Sequence, residues 1–486
     1  MSPCLRGGIC CLAVVVCALL TFAQEPQQQQ NPAPPTTAQH PVQPTNPAPP
    51  VQTEAPPPDH QITPEEAKEL LGAVDGILKF DSSMSGLPIK SEVKRRLIDR
   101  DEVQAYVEKQ MKEDEDAQRL KNGEMVLKKF GLVPRDFDVE GFLVKLLREQ
   151  VAGYYDPKTK YVNLLSWLQP EAQMPVLAHE LTHALQDQNF GMEKWVKGPN
   201  HKKHMTPAET IADDETTVAR HAVLEGQAMA VMLDWMLAPA KKTIMDAPMI
   251  VDAMEAGMAS GGDSPVYQSA PLYLQRMLIF PYTYGLNFER TLLKDSIEKA
   301  FAGVFQRPPQ NTREVMEPKA YLADEHLAPL DPPDFAKILG KDWEMYDVGS
   351  IGEFDLAEIA EQFSNHLKSL DIFPGWRGGY YYAVKRKDKK TVLGPQDIAM
   401  VFLTRWGDAK AEASFADVYS GSVSKRYPQV MPVGPPENGT TDVAQVPTHW
   451  KTGEGDVFVE THGDLLLVME SIDEADAAKV RAATVK

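Results

Sequence analysis

The sequence predicts an α+β protein, in which a mostly helical body with a small β-hairpin precedes a smaller α+β domain. Two observations predict this class. Apolar residues recur at helical spacing through most of residues 61–345. In residues 370–486, short apolar runs typical of strands alternate with helical patterns. The chain has 486 residues, which is room for about two or three domains of ordinary size.

The helical body is predicted to begin at a distinct boundary. Thr63-Pro64-Glu65-Glu66 forms a capping box with proline at the first helical position. Further helices are predicted at about 101–116, after Asp138, and at 172–188, 213–236, 268–279 and 287–302. Apolar runs at 151–155 and 161–165 flank a segment with the composition of a turn, which predicts a hairpin.

The smaller domain is predicted to contain the same order of elements twice. Strands at 380–384 and 398–403 precede a helix at 408–419, and strands at 457–460 and 465–469 precede a helix that begins near Asp473. Two strand–strand–helix units suggest a degenerate duplication. We expect this domain, residues 370–486, to be an accessory module.

Composition and charge narrow the possible partners. The formal net charge is −19 and 43% of the residues are hydrophobic, which suits a globular protein kept dispersed by self-repulsion. Phosphate binding needs a clustered excess of Lys and Arg, so no nucleic acid partner is expected. The same charge disfavours an electrostatic attraction to anionic membranes.

Residues 1–23 have the character of a secretory signal peptide. Arg6 supplies a positive charge, residues 9–22 form an uncharged apolar run, and Thr21-Phe22-Ala23 matches a cleavage site. We therefore expect an exported protein, periplasmic or secreted, that keeps no stable membrane span after cleavage near Ala23. An uncleaved anchor is the alternative, but the apolar run is short for a bilayer span.

Cysteine usage restricts the chemistry of the mature chain. The four cysteines all precede the predicted cleavage site: Cys4, Cys10, Cys11 and Cys17. A disulfide framework, a thiolate metal site and a cysteine nucleophile are therefore excluded after cleavage. Residues 24–60 are rich in Pro and Gln, and we predict a disordered linker there.

The strongest chemical signal is His179-Glu180-Leu181-Thr182-His183 within the predicted helix 172–188. Residues four apart stand on one face of a helix, so both imidazoles can bind one metal ion. Glu180 projects beside that point and can take a proton from a water molecule. Zinc suits such a site because it accepts nitrogen and carboxylate ligands. A solvent-facing helix with two chance histidines is the alternative, but the flanking residues are too apolar for it.

A catalytic zinc site needs a third protein ligand, and Glu225 is the better candidate. It lies in the middle of an apolar helical segment, where an unpaired carboxylate would be costly. An ordinary buried ion pair, for example with Arg220, is the alternative. The rival acids are Asp213, Asp214 and Glu215, which caps at a helix N-terminus explain better.

These motifs resemble the zincin metallopeptidases, specifically the gluzincins, in which a Glu on a later helix is the third ligand. Within 150–325 the chain is also similar to a group of poorly characterised exported bacterial proteins. The shared motifs are Tyr155-Asp156-Pro157, the segment 179–188, the Glu225-Gly226 helix and Phe280-Pro281-Tyr282. The resemblance implies Zn²⁺ held by His179, His183 and Glu225, with Glu180 as the general base. Gluzincins often place Asp four residues after the ligand Glu to brace a histidine, whereas Met229 stands there in this chain.

Other residues are weaker candidates. Asp187 can orient a ligand histidine or lie on the surface, and the hairpin can bind an extended peptide or be purely structural. Tyr282, Tyr284 and His221 are candidates for stabilising the tetrahedral intermediate. A second metal site at 201–204 and an aromatic binding surface at Trp376 and 380–382 are less favoured than a solvated loop and a strand core.

The sequence therefore predicts an exported zinc metallopeptidase that hydrolyses the peptide bonds of a peptide or protein substrate. A zinc-containing or vestigial zincin scaffold with a binding role is the alternative. The presence of Glu180 weighs against that alternative, because a purely structural zinc site has no need of a base.

Overall fold

The structure of the protein is a computed structural model that describes residues 60–113, 117–202, 204–259, 264–388, 391–392, 394–434 and 448–485. The predicted signal peptide and the predicted linker up to residue 59 lie outside these residues. The fold is α+β, as the sequence predicts. None of the helices in the described part of the chain is both long and apolar enough to cross a membrane.

Helices make up most of the first two thirds of the chain. The first six are α1 (Pro64–Ser85), α2 (Arg100–Glu113), α3 (Ala117–Phe130), α4 (Val139–Gln150), α5 (Pro170–Phe190) and α6 (Met192–Lys197). The next eight are α7 (Pro207–Leu237), α8 (Pro248–Ala259), α9 (Pro265–Gln268), α10 (Leu272–Leu293), α11 (Val304–Gln306), α12 (Thr312–Met316), α13 (Pro318–Leu322) and α14 (Phe335–Leu339). A π-helical turn at Lys299–Gly303 precedes α11. The predicted capping box of α1 at Thr63 and the predicted start of α4 after Asp138 are confirmed, and Asp138 is the N-cap of α4.

A three-stranded sheet lies beside these helices, in the order β1 (Lys94–Ile98), β3 (Tyr161–Leu165) and β2 (Tyr154–Asp156). The antiparallel pair of β2 and β3 confirms the predicted hairpin. Asp156 fixes its turn, because its carboxylate accepts hydrogen bonds from the backbone N–H of Lys158 at 2.9 Å and the hydroxyl of Thr159 at 2.7 Å. The parallel strand β1 was not foreseen.

Helices α7 and α10 approach each other so closely that only glycine fits at their crossing. A Cβ atom on Gly226 would lie 2.2 Å from the backbone oxygen of Gly285, and one on Gly285 would lie 2.1 Å from the oxygen of Ala222. The predicted helices at 268–279 and 287–302 are wrong in their bounds, because α10 runs unbroken through Pro281. Buried side chains on both sides of this proline, Phe280 and Tyr282 among them, outweigh the lost backbone hydrogen bond.

The last third of the chain forms a seven-stranded sheet. Its strands are β4 (Trp343–Ser350), β5 (Trp376–Arg386), β6 (Ile398–Trp406), β7 (Met431–Pro432), β8 (His449–Thr452), β9 (Gly455–His462) and β10 (Leu465–Ile472). Their order in the sheet is β4-β5-β6-β10-β9-β8-β7, and the neighbours are antiparallel. Helices α15 (Glu353–Phe363), α16 (His366–Ile372), α17 (Ala409–Arg426) and α18 (Glu474–Thr484) complete this part.

Both faces of this sheet are buried, by different helices. Side chains such as Phe402 and Val468 pack into the core that includes α17 and the helical body, whereas Val401 and Met469 pack with α14 and α18. The predicted strand–strand–helix order is therefore confirmed. A symmetric duplication is not, because α17 and α18 cover opposite faces.

Strand β4 connects the sheet to the helical body. Asp214 of α7 accepts a hydrogen bond from the backbone N–H of Ser350 at 3.1 Å and pairs with Arg119 of α3 at 2.9 Å. One apolar core runs from α1 through the body to the inner face of the sheet. The sequence predicts a domain boundary between residues 345 and 370, and this boundary stays a prediction. Strand β4 begins before residue 345 and ends at Ser350, inside the predicted boundary region.

Candidate metal centre

Helix α5 brings the two histidines of the motif together. His179 and His183 stand one turn apart, and their Nε2 atoms are 3.1 Å from each other. The middle of the helix, from Val176 to Asp187, is buried on every side, which explains why its flanking residues are uncharged. The two imidazoles therefore meet inside the protein rather than on an exposed face.

Helix α7 supplies the third group. The Oε2 atom of Glu225 lies 3.0 Å from Nε2 of His179 and 3.4 Å from Nε2 of His183. Arg220, the alternative partner for this carboxylate, instead donates to the backbone oxygen of Trp195 at 2.7 Å. Glu225 therefore faces the histidines and does not pair with Arg220.

These three groups fit a metal ion. One ligand atom from each of His179, His183 and Glu225 lies within 4.8 Å of the others, and no other group of this kind is found in the described part of the chain. Tetrahedral ligands at about 2.0–2.1 Å from zinc stand roughly 3.3 Å apart, close to the separations of 3.0, 3.1 and 3.4 Å. Three protein ligands also leave a fourth position open. The geometry of the three groups suits a divalent metal ion.

The electrostatics of the cluster favour a positive charge at its centre. Burial acts to raise the pKa of Glu225, but the charge of His183 and the hydrogen bond from His179 lower that pKa to about 2. Burial acts to lower the pKa of His183, yet the carboxylates of Glu225 and Glu180 raise it to about 9. Burial lowers the pKa of His179. The buried carboxylate of Glu225 therefore needs a cation, whether a proton on His183 or a metal.

Glu180 lies beside this cluster with one oxygen available. Its Oε2 atom accepts a hydrogen bond from the backbone N–H of Tyr155 at 2.7 Å, whereas Oε1 is buried and has no hydrogen-bond partner. Burial raises the pKa of Glu180 to about 8, although the charge of His183 opposes this rise. A general base must be deprotonated, and a cation bound at this cluster would favour the charged form of Glu180.

The hairpin holds this base in place. The N–H of Tyr155 that binds Glu180 belongs to β2, an edge strand of the small sheet, so this amide is not free to pair with a peptide. Asp187 accepts hydrogen bonds from the hydroxyl of Tyr155 at 2.7 Å and from Nζ of Lys160 at 2.5 Å. Asp187 therefore fastens the hairpin to α5. It is buried and does not orient a histidine, so both roles considered for it, a histidine partner and a surface residue, are wrong.

The residue that orients His183 is Gln186, which the sequence reasoning missed. Its Oε1 atom lies 2.8 Å from Nδ1 of His183, three residues earlier on the same helix. The spacing of three residues was a usable signal, since such residues are neighbours on a helix. Met229, where gluzincins often carry Asp, is buried in an apolar cluster.

Two of the three candidates for the tetrahedral intermediate lie near the cluster. The ring of Tyr282 is 6.3 Å from that of His179. His221 stands one turn before Glu225 with its Nδ1 bonded to the backbone oxygen of Thr217 at 2.9 Å, and burial lowers its pKa. Tyr284 packs against Phe280 instead, and burial raises its pKa to about 12.

The rival acids have other partners. Helix α7 begins at Pro207 with a capping box between Thr206 and Glu209, so the acids at 213–215 lie inside the helix and the prediction that they cap it is wrong. Glu215 accepts hydrogen bonds from Thr312 and Ser350, and Asp213 lies 3.1 Å from Nδ1 of His201. None of them reaches the metal-binding cluster.

The aromatic run of the small domain is core. Trp376 and the tyrosines at 380–382 are buried, which fits the strand core favoured over a binding surface. An open cavity of about 640 Å³ lies nearby, between α14, β4 and the start of α7. Trp343, Tyr382 and three lysines line it, and the metal-binding residues do not.

The chain matches no protein-family model, no curated protein and no solved structure. The resemblance to the gluzincins therefore stays a prediction.

Proposed function

We propose that this protein is an exported zinc-dependent metallopeptidase in which Glu180 is the general base. The observation that carries the proposal is the convergence of His179, His183 and Glu225 from two helices, with an unpartnered carboxylate oxygen of Glu180 beside them. A purely structural site has no use for that fourth group. The signal-like segment at 1–23 supports export.

Zinc is the proposed ion because of the chemistry of the donors. Two imidazole nitrogens and one carboxylate oxygen, without sulfur, form a ligand set of known catalytic zinc sites. When bound, zinc supplies a Lewis acid that lowers the pKa of a water molecule towards neutrality. The other contributions to hydrolysis come from side chains and backbone groups of the protein.

Each of the surrounding groups has a part in hydrolysis. Oε1 of Glu180 takes the proton of the attacking water, while the backbone N–H of Tyr155 holds Oε2 and so fixes the direction of the free oxygen. Tyr282 is the better placed of the two tyrosines to donate to the oxyanion, because its ring centroid lies 6.3 Å from that of His179.

A non-catalytic binding protein is the second candidate, and two observations favour it. His179, Glu180, His183 and Glu225 are all 5% exposed or less, so the described residues cover nearly all of their surface. The cavity lined by Trp343 and Tyr382 does not include the four residues of the candidate site, and it offers a separate surface for binding a ligand. In this alternative the metal stabilises the fold and Glu180 is a relic.

The deciding experiment measures hydrolysis of a peptide library by the purified protein before and after treatment with a chelator. Elemental analysis should find zinc, and cleavage should stop on chelation and return with added zinc. Glu180→Gln should abolish cleavage while zinc stays bound, because the amide oxygen still accepts from Tyr155. Full activity in that variant, or the absence of zinc from the active protein, would refute the proposal.

The matched control is Glu289→Gln. Glu289 is an equally buried carboxylate on α10 whose two oxygens have no hydrogen-bond partner, and burial raises its pKa well above the usual value. Its neutral amide replacement should leave both zinc content and cleavage unchanged. An equal loss in both variants would show that the effect of Glu180→Gln is not specific to the site.

A further inference from the structure

We infer that Gln186 and Gln227 are positioning residues that hold His183 with its proton on Nδ1 and its Nε2 lone pair directed at the metal centre. The inference rests on the metal site of the proposed function, not on peptide hydrolysis. It concerns a chain of hydrogen bonds that leads from the ligand histidine to the far side of α7.

The chain of hydrogen bonds has three links. Nδ1 of His183 lies 2.8 Å from Oε1 of Gln186, and Nε2 of Gln186 donates to Oε1 of Gln227 at 2.9 Å. Nε2 of Gln227 donates in turn to the backbone oxygens of Ala300 at 2.8 Å and Phe301 at 3.2 Å. The links thus join α5 to α7, and α7 to the segment after α10.

The far end sets the direction of every bond. A backbone carbonyl can only accept, so the amide of Gln227 must turn its NH₂ group towards Ala300 and its oxygen towards Gln186. Gln186 must then donate to that oxygen, and it also donates to the backbone oxygen of Leu224 at 3.0 Å. Its own oxygen is left facing His183. Nδ1 of His183 is therefore the donor, and Nε2 is the atom left for the metal.

Burial makes the direction hard to reverse. Both glutamines are 0% exposed, so water cannot replace a lost partner. A flipped amide would place two acceptors against each other in a low-dielectric interior, where unsatisfied polar groups are most unfavourable. The chain therefore fixes the ring of His183 as well as its tautomer.

The π-helical turn provides the last acceptors of this chain of hydrogen bonds. Ala300 and Phe301 lie within Lys299–Gly303, the π-helical turn that follows α10. Such turns are rare and recur at functional sites, since their wider backbone redirects groups that a regular helix would align. Here the turn presents two carbonyl oxygens to one amide of α7.

The test compares Gln186→Met, Gln227→Met and Gln173→Met in the full chain, because methionine keeps the length of glutamine and removes its hydrogen bonds. Gln173 is the matched control. It lies on the same helix α5, is 0% exposed, and its amide bonds only to the backbone of Leu165 and Leu168. Any general effect of losing a buried amide should appear in this control.

Two readouts are needed. Zinc affinity, measured by competition with a chromophoric chelator, should fall by about 10- to 100-fold in Gln186→Met. Gln227→Met should lose less, because Gln186 still donates to Leu224. In the cobalt(II)-substituted protein, the shifted ring N–H resonance of His183 should exchange with solvent faster in Gln186→Met. Gln173→Met should match the parent in both.

The outcomes separate the two proposals. Equal zinc affinity and an unchanged N–H resonance in Gln186→Met would overturn the inference and leave the proposed function standing. Should Gln186→Met fail to fold, the same equality in Gln227→Met would overturn it. A weakened site in a parent protein that cleaves no peptide would support the chain and refute the peptidase. A parent that binds neither zinc nor cobalt would overturn both.

Discussion

Replacing Gly226 with alanine places a methyl group at the crossing of α7 and α10, next to the proposed ligand Glu225. The new Cβ atom would lie 2.2 Å from the backbone oxygen of Gly285 and 2.3 Å from its carbonyl carbon. Contacts of real Cβ atoms essentially never fall below 3.0 Å, so the helices must separate by at least about 0.8 Å. Backbone atoms on the far side cannot rotate away as a side chain would.

This strain should lower the stability of the protein by about 3 kcal/mol, the upper end of the range for overpacked cores. The same variant gains the helix propensity of alanine, about 1 kcal/mol, and that gain is too small to compensate. Because α7 carries Glu225 between α5 and α10, a shift of this helix also moves a ligand. We therefore expect weaker zinc binding together with the loss of stability.

The assay is chemical denaturation followed by circular dichroism, with Gly76→Ala as the matched control. Gly76 lies in the exposed part of α1, and nothing stands within 4 Å of a Cβ atom placed there. The control should therefore stabilise the protein by about 0.5–1 kcal/mol, the usual advantage of alanine in a helix. A Gly226→Ala protein as stable as the parent would refute the close helix crossing.

Three further predictions concern the metal, the pH dependence of stability and a buried ion pair between α17 and β10. Zinc at 100 times its dissociation constant should stabilise the parent by about 2.7 kcal/mol and leave Glu225→Gln unchanged, measured by thermal unfolding with and without chelator. Burial raises the pKa of Glu358 to about 8 from 4.5, so its stabilising effect is complete below pH 4.5 and is lost as the pH rises through 8. Glu358→Gln should therefore show a smaller loss of stability between pH 5.5 and about 9 than the parent does; an identical loss would contradict this cause. Arg426→Met should lower the free energy of unfolding by about 3–5 kcal/mol, measured by chemical denaturation, because it leaves Glu470 buried without the guanidinium that lies 2.7 Å away.

Much of the site could be predicted because its signals are local. The spacing of His179 and His183 needs only the geometry of one helix, and Glu225 is conspicuous as a carboxylate in an apolar helical segment. The hairpin and the caps at Thr63 and Asp138 likewise depend on neighbouring residues. Each of these features is encoded within a few positions of the chain.

The start of α7 was predictable and was still placed wrongly. Thr206-Pro207-Ala208-Glu209 has the same capping-box pattern as the segment at Thr63 that correctly located α1. The acids at 213–215 led to a predicted start of α7 near Asp213, because acidic residues favour helix N-termini. They are charged for another reason, since Asp214 and Glu215 bind β4 and residues near it.

Features that depend on distant residues could not be predicted. Strand β1 pairs with β3 across more than 60 positions, and the helices α17 and α18 cover opposite faces of a sheet that the sequence does not order. The partner of Gln227 is a carbonyl 73 residues away. Polar side chains such as glutamine carry no pattern that distinguishes a surface residue from a link in a buried network.

Three different elements hold the groups of the candidate site, and this division explains how the site can be both buried and exact in its geometry. Helix α5 provides two proposed ligands and the proposed base, α7 provides the carboxylate of Glu225, and the hairpin fixes Glu180 through the backbone N–H of Tyr155. Tyr155 also donates a hydrogen bond from its hydroxyl to Asp187, so the hairpin binds α5 at one residue before His183 and at another after it. Since Glu180 lies 25 positions from that amide, its direction depends on tertiary packing rather than on the motif. The motif therefore supplies the chemical groups, whereas the hairpin determines whether Glu180 can act as a base.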